Sequence, residues 1–217
     1  MDKGLDLRNV VISNGDHRLL SVNHLIAPGD VLTIMGPSGV GKSTLLAFIT
    51  GTLSSDFSAS GSVWLNGQDI TAAPPHRRRV GILFQDDLLF PHLSVGANLA
   101  FGLRPGGAAT ERRARIDAVL EEVGMAGFAD RDPATLSGGQ KARVALMRML
   151  LSEPCALLLD EPFSRLDATL RAQVREMVFD RARLRALPVL MVTHDADDAR
   201  AAGGEIVTLE HGPGGVA

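Results

Sequence analysis

The chain has 217 residues, 45% of them hydrophobic and 22% charged, and a formal net charge of −3 at neutral pH. That is enough material for one substantial globular domain, and the near balance of charge excludes the broad basic face that nucleic-acid binding requires, so no nucleic-acid partner is expected. A single cysteine, Cys155, excludes an internal disulfide and points to a reducing compartment, where its thiol is expected to be a small buried side chain.

In chain order, the first 17 residues carry Asp2, Lys3, Asp6 and Arg8 with no unbroken apolar run, so they do not form a signal peptide. No stretch approaches the roughly 20 apolar residues of a membrane span. Residues 10–12, 19–25 and 63–65 read as strands, with Asn-Gly and Ser-Gly turn signals around them. Residues 31–35, 80–84, 156–159 and 189–192 are continuous apolar runs, as expected of parallel strands buried on both faces. Ligands of open parallel sheets gather at the carboxyl ends of strands, and Gly36, Gln85, Asp160 and His194 stand at those ends. The run HRRRV, 76–80, is expected to be a solvated loop. Between residues 86 and 150 the pattern turns helical, with Ile116, Val119, Leu120 and Val123 on one face and Val144, Met147, Leu150 and Leu151 on another. RPGGAA, 104–109, reads as a surface loop and 211–217 as a frayed tail. The expected architecture is α/β: a parallel sheet, an N-terminal antiparallel β unit and an inserted helical unit.

GPSGVGKST, 36–44, follows one apolar strand and opens a helix, the strand–GxxxxGK[ST]–helix context of a phosphate-binding loop. Gly36, Gly39 and Gly41 let the backbone close into a ring, with Pro37, Ser38 and Val40 between them, whose N–H groups point inward at the positive end of a helix dipole. Lys42 supplies a charge for the β- and γ-phosphates. Ser43 offers a hydroxyl to Mg²⁺, and Thr44 offers a second hydroxyl nearby. In CALLLDEP, 155–162, a strand ends in two carboxylates: Asp160 is placed to hold Mg²⁺ through water, and Glu161 to take a proton from an attacking water.

LSGGQ, 136–140, is a second helix start directed at an anion, with Ser137 as N-cap and Gly138 and Gly139 exposing backbone N–H groups before KARVALMRMLL. GPSGVGKST, LSGGQ, LLLDEP, SRLD and VTHD occur in the order and spacing of ABC ATPase domains, and the resemblance covers nearly the whole chain. It implies a P-loop NTPase, RecA-like core at about 1–85 and 154–217, and a helical signature unit at about 86–153. It also implies an ATP- and Mg²⁺-dependent hydrolase that closes as a head-to-tail homodimer on two nucleotides. Carried over, Ser137, Gly138 and Gly139 contact the γ-phosphate in trans and Gln140 holds the motif in place. Gln85 approaches the metal and attacking water, His194 hydrogen-bonds the γ-phosphate, and Asp167 communicates across the dimer. Arg165 stands where many relatives carry alanine.

QDDLLFPHLSVGANLAFGL, 85–103, resembles bacterial importer ATPases near the thiamine, sulfate and polyamine group, in which this region receives a permease helix. Phe90, Pro91, His92 and Leu93 are the candidates for that surface. The resemblance implies a cytoplasmic subunit held at the inner membrane face by its permease, with a solute-binding protein in the system. Many such subunits carry a C-terminal regulatory β domain; this sequence stops soon after VTLEHG, so regulation of that kind is expected to be absent or to lie elsewhere. Relatives also place an aromatic residue before the phosphate loop to stack on adenine. Here there is no Tyr, and no Phe or Trp before Phe48; Asn14 and His17 lie near the expected place. Loss of a stack worth about 1–3 kcal/mol predicts weaker binding and weak discrimination of ATP from GTP, unless His17 or an apolar surface substitutes.

Overall fold

The computed structural model describes residues 3–86, 88–164 and 166–209; Arg165 and the 211–217 tail lie outside them. The N-terminal strands β1 (Leu5–Asn14), β2 (His17–Ile26), β4 (Ser58–Leu65) and the two-residue β5 (Gln68–Asp69) form an antiparallel sheet in the order β2-β1-β4-β5. The second sheet is parallel, in the order β6-β7-β8-β3-β9, from β3 (Val31–Met35), β6 (Val80–Leu83), β7 (Ala156–Asp160), β8 (Val189–Thr193) and β9 (Glu205–Thr208). The helices are α1 (Lys42–Thr50), α2 (Val95–Gly102), α3 (Ala109–Glu122), α4 (Gly138–Leu151), α5 (Ala168–Leu184) and α6 (Ala196–Ala202).

The apolar runs form strands with no polar alternation because both faces of the parallel sheet are covered. Side chains alternate in direction with a period of two. In β7, Leu157 and Leu159 enter one core with the side chains of α4 and α5, while Ala156 and Leu158 enter another with β1, β2 and α1. β8 divides the same way, Val189 and Met191 against Leu190 and Val192. All of these residues are fully buried. β9, a short edge strand with exposed Glu205 and Ile206, was not anticipated: it has no continuous apolar run to announce it, and pairs with β3 alone.

Two expectations are corrected. Arg78, assigned to a solvated loop, is 6% exposed. Its guanidinium donates to the carbonyls of Phe48 (2.8 Å) and Ile49 (2.9 Å) at the end of α1, and to those of Ala73 and Thr71. Carbonyls of a last helical turn are short of backbone donors, Phe48 O accepting only from the Gly51 N–H of the cap, and a buried cation at the negative end of the dipole completes their bonding. Gly51 makes room: a Cβ there would meet the Arg78 Nε at 2.6 Å. Burial pushes the Arg78 guanidinium below its usual range, so its charge is kept by these four carbonyls. Cys155, expected to be buried, is only half-buried, packed beside the core shared by β1, β2 and α1.

Candidate active site

The phosphate loop runs from the tip of β3 to α1. Gly39 (φ 84°) and Gly41 (φ 100°, the N-cap of α1) take left-handed conformations that favour glycine. Gly36 is required for a different reason: a Cβ there would lie 2.9 Å from the carbonyl of Leu209. Val40 is buried and anchors the loop, whereas Pro37, Ser38 and Gly39 are exposed. Lys42 is 6% exposed and folds over the loop, donating to the carbonyls of Gly36 (2.6 Å) and Pro37 (2.9 Å). The ammonium is therefore held at the loop without a carboxylate partner close enough to neutralise it among the described ion pairs.

β7 lies next but one to β3 in the sheet and delivers the carboxylates. Asp160 at its last position accepts from Ser43 Oγ at 3.2 Å. Burial raises the Asp160 carboxyl above the usual range, and the neighbouring Glu161 adds to this against the opposing pull of Ser43 and Lys42. Glu161 has φ 45°, an uncommon conformation for a non-glycine residue, held by its N–H to Val192 O (2.9 Å) and by Ser164 Oγ on its own carbonyl (3.0 Å). The turn aims its carboxylate at His194, just beyond β8, with Nδ1 to Oε1 at 3.0 Å; the imidazole is 57% exposed and the carboxylate 18%.

A cavity of about 410 Å³ lies over the loop, lined by Ser38, Gly39, Gly41, Lys42, Ser43, Thr44 and Glu161, and also by Asn14, Leu19 and Phe57. Thus Lys42, Ser43, Thr44, Asp160, Glu161 and His194 are gathered at the carboxyl edge of the parallel sheet. Gln85 is exposed beyond β6 and is not part of the cavity wall; neither is His17. Phe57 is missed by a search for aromatic residues upstream of the loop, because it reaches the cavity from the segment entering β4.

The second anion-directed helix start stands apart from this cavity. Ser137 and Gly138 are exposed. Ser137 Oγ accepts from Gln140 N (3.3 Å) while Gln140 Oε1 accepts from Ser137 N (2.9 Å), a reciprocal capping box that fixes the start of α4. Gly139 is buried, and a Cβ there would collide with the Leu170 side chain of α5. Asp167 caps that helix through Oδ1, which accepts from Leu170 N at 3.0 Å.

A groove of about 310 Å³ separates β6 from α2 and α4, lined by Phe84, Leu88, Phe90, Phe101 and Arg148 among others. Of the four residues expected at a docking surface, Phe90 lines it; Pro91, His92 and Leu93 do not. Buried Asn98 holds their loop, accepting from Phe90 N (2.8 Å) and donating to the carbonyls of Phe90, Leu93 and Ser94. Phe101 is 69% exposed and meets Phe90 edge-on with ring centroids 4.7 Å apart. Among the described residues no helix is long and apolar enough to cross a membrane.

Residues 19–164 match the family described as ABC transporter. The chain is 50% identical over 198 residues to the ABC transporter ATP-binding protein YnjD of Escherichia coli, covering 91% of each protein. It is 45% identical to the thiamine import ATP-binding protein ThiQ of Yersinia pseudotuberculosis, over 85% of this chain and 77% of that protein. Among solved structures, cbiO1 from Clostridium perfringens, part of the ABC transporter complex cbiONQ, superposes with a TM-score of 0.82 at 29% identity, covering 96% of this chain and 85% of that one.

Proposed function

The chain belongs to the ABC transporter family, as an ATP-binding and ATP-hydrolysing subunit that energises import, and from that premise we propose how its residues do this. The observation that carries the reading is the gathering of Lys42, Ser43, Asp160, Glu161 and His194 at one sheet edge around a cavity floored by the phosphate loop. Residues 36–44 wrap the phosphates with inward N–H groups, and Lys42 leaves the Gly36 and Pro37 carbonyls for the β- and γ-phosphate oxygens.

The donors fit Mg²⁺. An alcohol and a carboxylate 3.2 Å apart are hard oxygen ligands, and Mg²⁺ ordinarily takes one or two protein oxygens and completes its shell with phosphate and water. Ser43 and Asp160 would hold it, with Gln85 assigned the third place by the family pattern. When bound, it neutralises phosphate charge and orients the γ-phosphoryl group for in-line attack. Glu161 accepts the proton of the attacking water at its carboxylate. His194 orients that carboxylate through Nδ1 and contacts the γ-phosphate in the closed state.

The nucleotide site is completed by a second copy. Exposed Ser137 and Gly138, with Gly139 and capping Gln140, present an anion-directed helix start that its own cavity does not use, and Asp167 caps α5, whose Leu170 packs against Gly139. A head-to-tail homodimer places this motif of one protomer over the nucleotide of the other. Residues about 1–85 and 154–217 then act as the nucleotide-binding core and about 86–153 as the signature unit.

The aromatic groove between them, with Phe84, Leu88, Phe90 and Phe101, receives a helix of an integral membrane permease, which holds the subunit at the cytoplasmic face of the membrane. A solute-binding protein completes such an import system. The test is phosphate release by the purified chain with Mg²⁺ and ATP, with Lys42→Ala as control. Release abolished by that change is expected; wild-type protein that releases no phosphate, alone or with its permease, overturns the reading.

A further inference from the structure

The cavity over the phosphate loop is walled by two kinds of residue. One part is the loop itself with Glu161, all backbone N–H, hydroxyl and charge. The other is Asn14, Leu19 and Phe57, and these come from three strands or strand edges of the antiparallel sheet rather than from the parallel one. Their meeting is built into the register. Ser13 pairs with Ser58 and Asn14 with His17, so the end of β1 lies between the entry to β4, where Phe57 sits, and the start of β2. Leu19 is brought against the phosphate loop itself: a Cβ added to Gly41 would lie 3.3 Å from Leu19 Cβ and 3.1 Å from Leu20 Cδ2. Phe57 is half-buried rather than packed into the core, leaving part of its surface on the cavity.

Phosphates have no use for an aromatic ring and an isobutyl group, whereas a flat heterocycle does. We propose that Phe57, backed by Leu19, is the platform on which the purine base of the nucleotide lies, with the Asn14 amide at its edge. The inference rests on the nucleotide reading above and specifies the part of the site that the sequence motifs leave undefined. It also fixes what the site can discriminate. Stacking accepts any purine face, and an amide both donates and accepts, so Asn14 serves the edge of adenine or guanine after a turn about its last bond. Affinity is restored without strict base choice.

The test measures binding of ATP, GTP and inorganic tripolyphosphate to the full chain by calorimetry with Mg²⁺, in wild type, Phe57→Ala, Phe57→Leu and Phe57→Trp. Tripolyphosphate reports the phosphate part alone. Expected is loss of roughly tenfold or more in ATP affinity for Phe57→Ala, a smaller loss for Phe57→Leu, recovery in Phe57→Trp, and unchanged tripolyphosphate affinity throughout. ATP and GTP should differ in the wild type by less than about a hundredfold. Equal ATP affinity in wild type and Phe57→Ala overturns the platform and leaves the nucleotide reading intact, and parallel loss of ATP and tripolyphosphate overturns it too, since Phe57 would then be supporting the loop. Should Phe57→Ala not fold, Phe57→Leu binding ATP as tightly as Phe57→Trp overturns the platform. Wild type that binds neither ligand brings down the nucleotide reading itself.

Discussion

Glu161 combines three properties that few side chains share: a left-handed backbone, a carboxylate 82% removed from solvent contact by its 18% exposure, and a histidine 3.0 Å away. A strained backbone at the end of a buried strand is maintained only when its surroundings hold it, and here β8 does so through Val192 O. Glu161→Gln keeps the shape and removes the base, so turnover should fall by about 10²–10⁴-fold while ATP-driven dimers still form. Phosphate release and sedimentation on the same sample check this, and a mutant with wild-type turnover refutes the base assignment. At this scale the sequence was informative where the residue type is itself the chemistry. Asp160 and His194 stand at strand ends that their apolar runs announce, and Lys42 opens the helix that the glycine-rich loop leads into. Arg78 and Phe57 escaped notice for the opposite reason. An arginine in HRRRV or a phenylalanine in a loop acquires its role from whatever folds against it, here the carbonyls of α1 and the cavity over the phosphate loop.

Between elements, α5 joins the start of α4 to the turn that follows His194. Its first turn packs Leu170 against Gly139 of α4, and one residue later Arg171 reaches the turn after β8. Arg171 Nε donates to Asp198 Oδ1 at 2.8 Å, and Nη2 lies 2.7 Å from Asp195 Oδ2. Asp198 is 1% exposed and is also bonded by Arg175. Asp195 follows His194 directly and caps α6 by accepting from Asp197 N and Asp198 N. Gly139→Ala forces Leu170 to move and should cost about 1–3 kcal/mol of stability by overpacking, with Leu170→Ala on that background recovering part of it. Thermal unfolding of the four proteins of that cycle measures the coupling, and additive losses would mean that the two side chains do not meet.

Arg171→Met leaves Asp198 short of its main partner and should destabilise by about 3–5 kcal/mol, as breaking a buried pair does. Burial pushes the Asp195 carboxyl up, but the N–H groups of Asp198 and Asp197 and the Arg171 guanidinium outweigh it and hold it below the usual range. A depressed carboxylate contributes stability above its unfolded pKa, and this is lost as pH falls through the folded value. The gap between wild type and Arg171→Met should therefore be widest near neutrality and narrow on acidification, which urea unfolding at several pH values reads directly. None of this network was legible beforehand, because ion pairs between residues 23 to 27 apart in sequence have no local pattern.

For the whole molecule, periodicity and motif order revealed both sheets and the helical insertion, since buried parallel strands and amphipathic helices leave their period in the sequence. What periodicity could not convey is that the two anion-directed helix starts stand apart. The phosphate loop belongs to a cavity with Glu161, and Ser137 and Gly138 are exposed elsewhere, with the Ser137 cap closed on its own Gln140. If each nucleotide is completed by the twin, defects at the two places must complement one another. Lys42→Ala and Ser137→Arg should each abolish hydrolysis as pure homodimers. Mixed in equal amounts and allowed to exchange, half of the dimers pair one of each, and each such dimer contains one site with an intact loop and an intact signature. About one quarter of wild-type sites are then whole, and turnover in the mixture should rise toward that fraction, provided one site fires without the other. Hydrolysis should also rise more steeply than linearly with protein concentration in the dilute range, because monomers contribute nothing. A mixture as inactive as its components, together with strictly linear concentration dependence, would mean that a single chain contains its whole site.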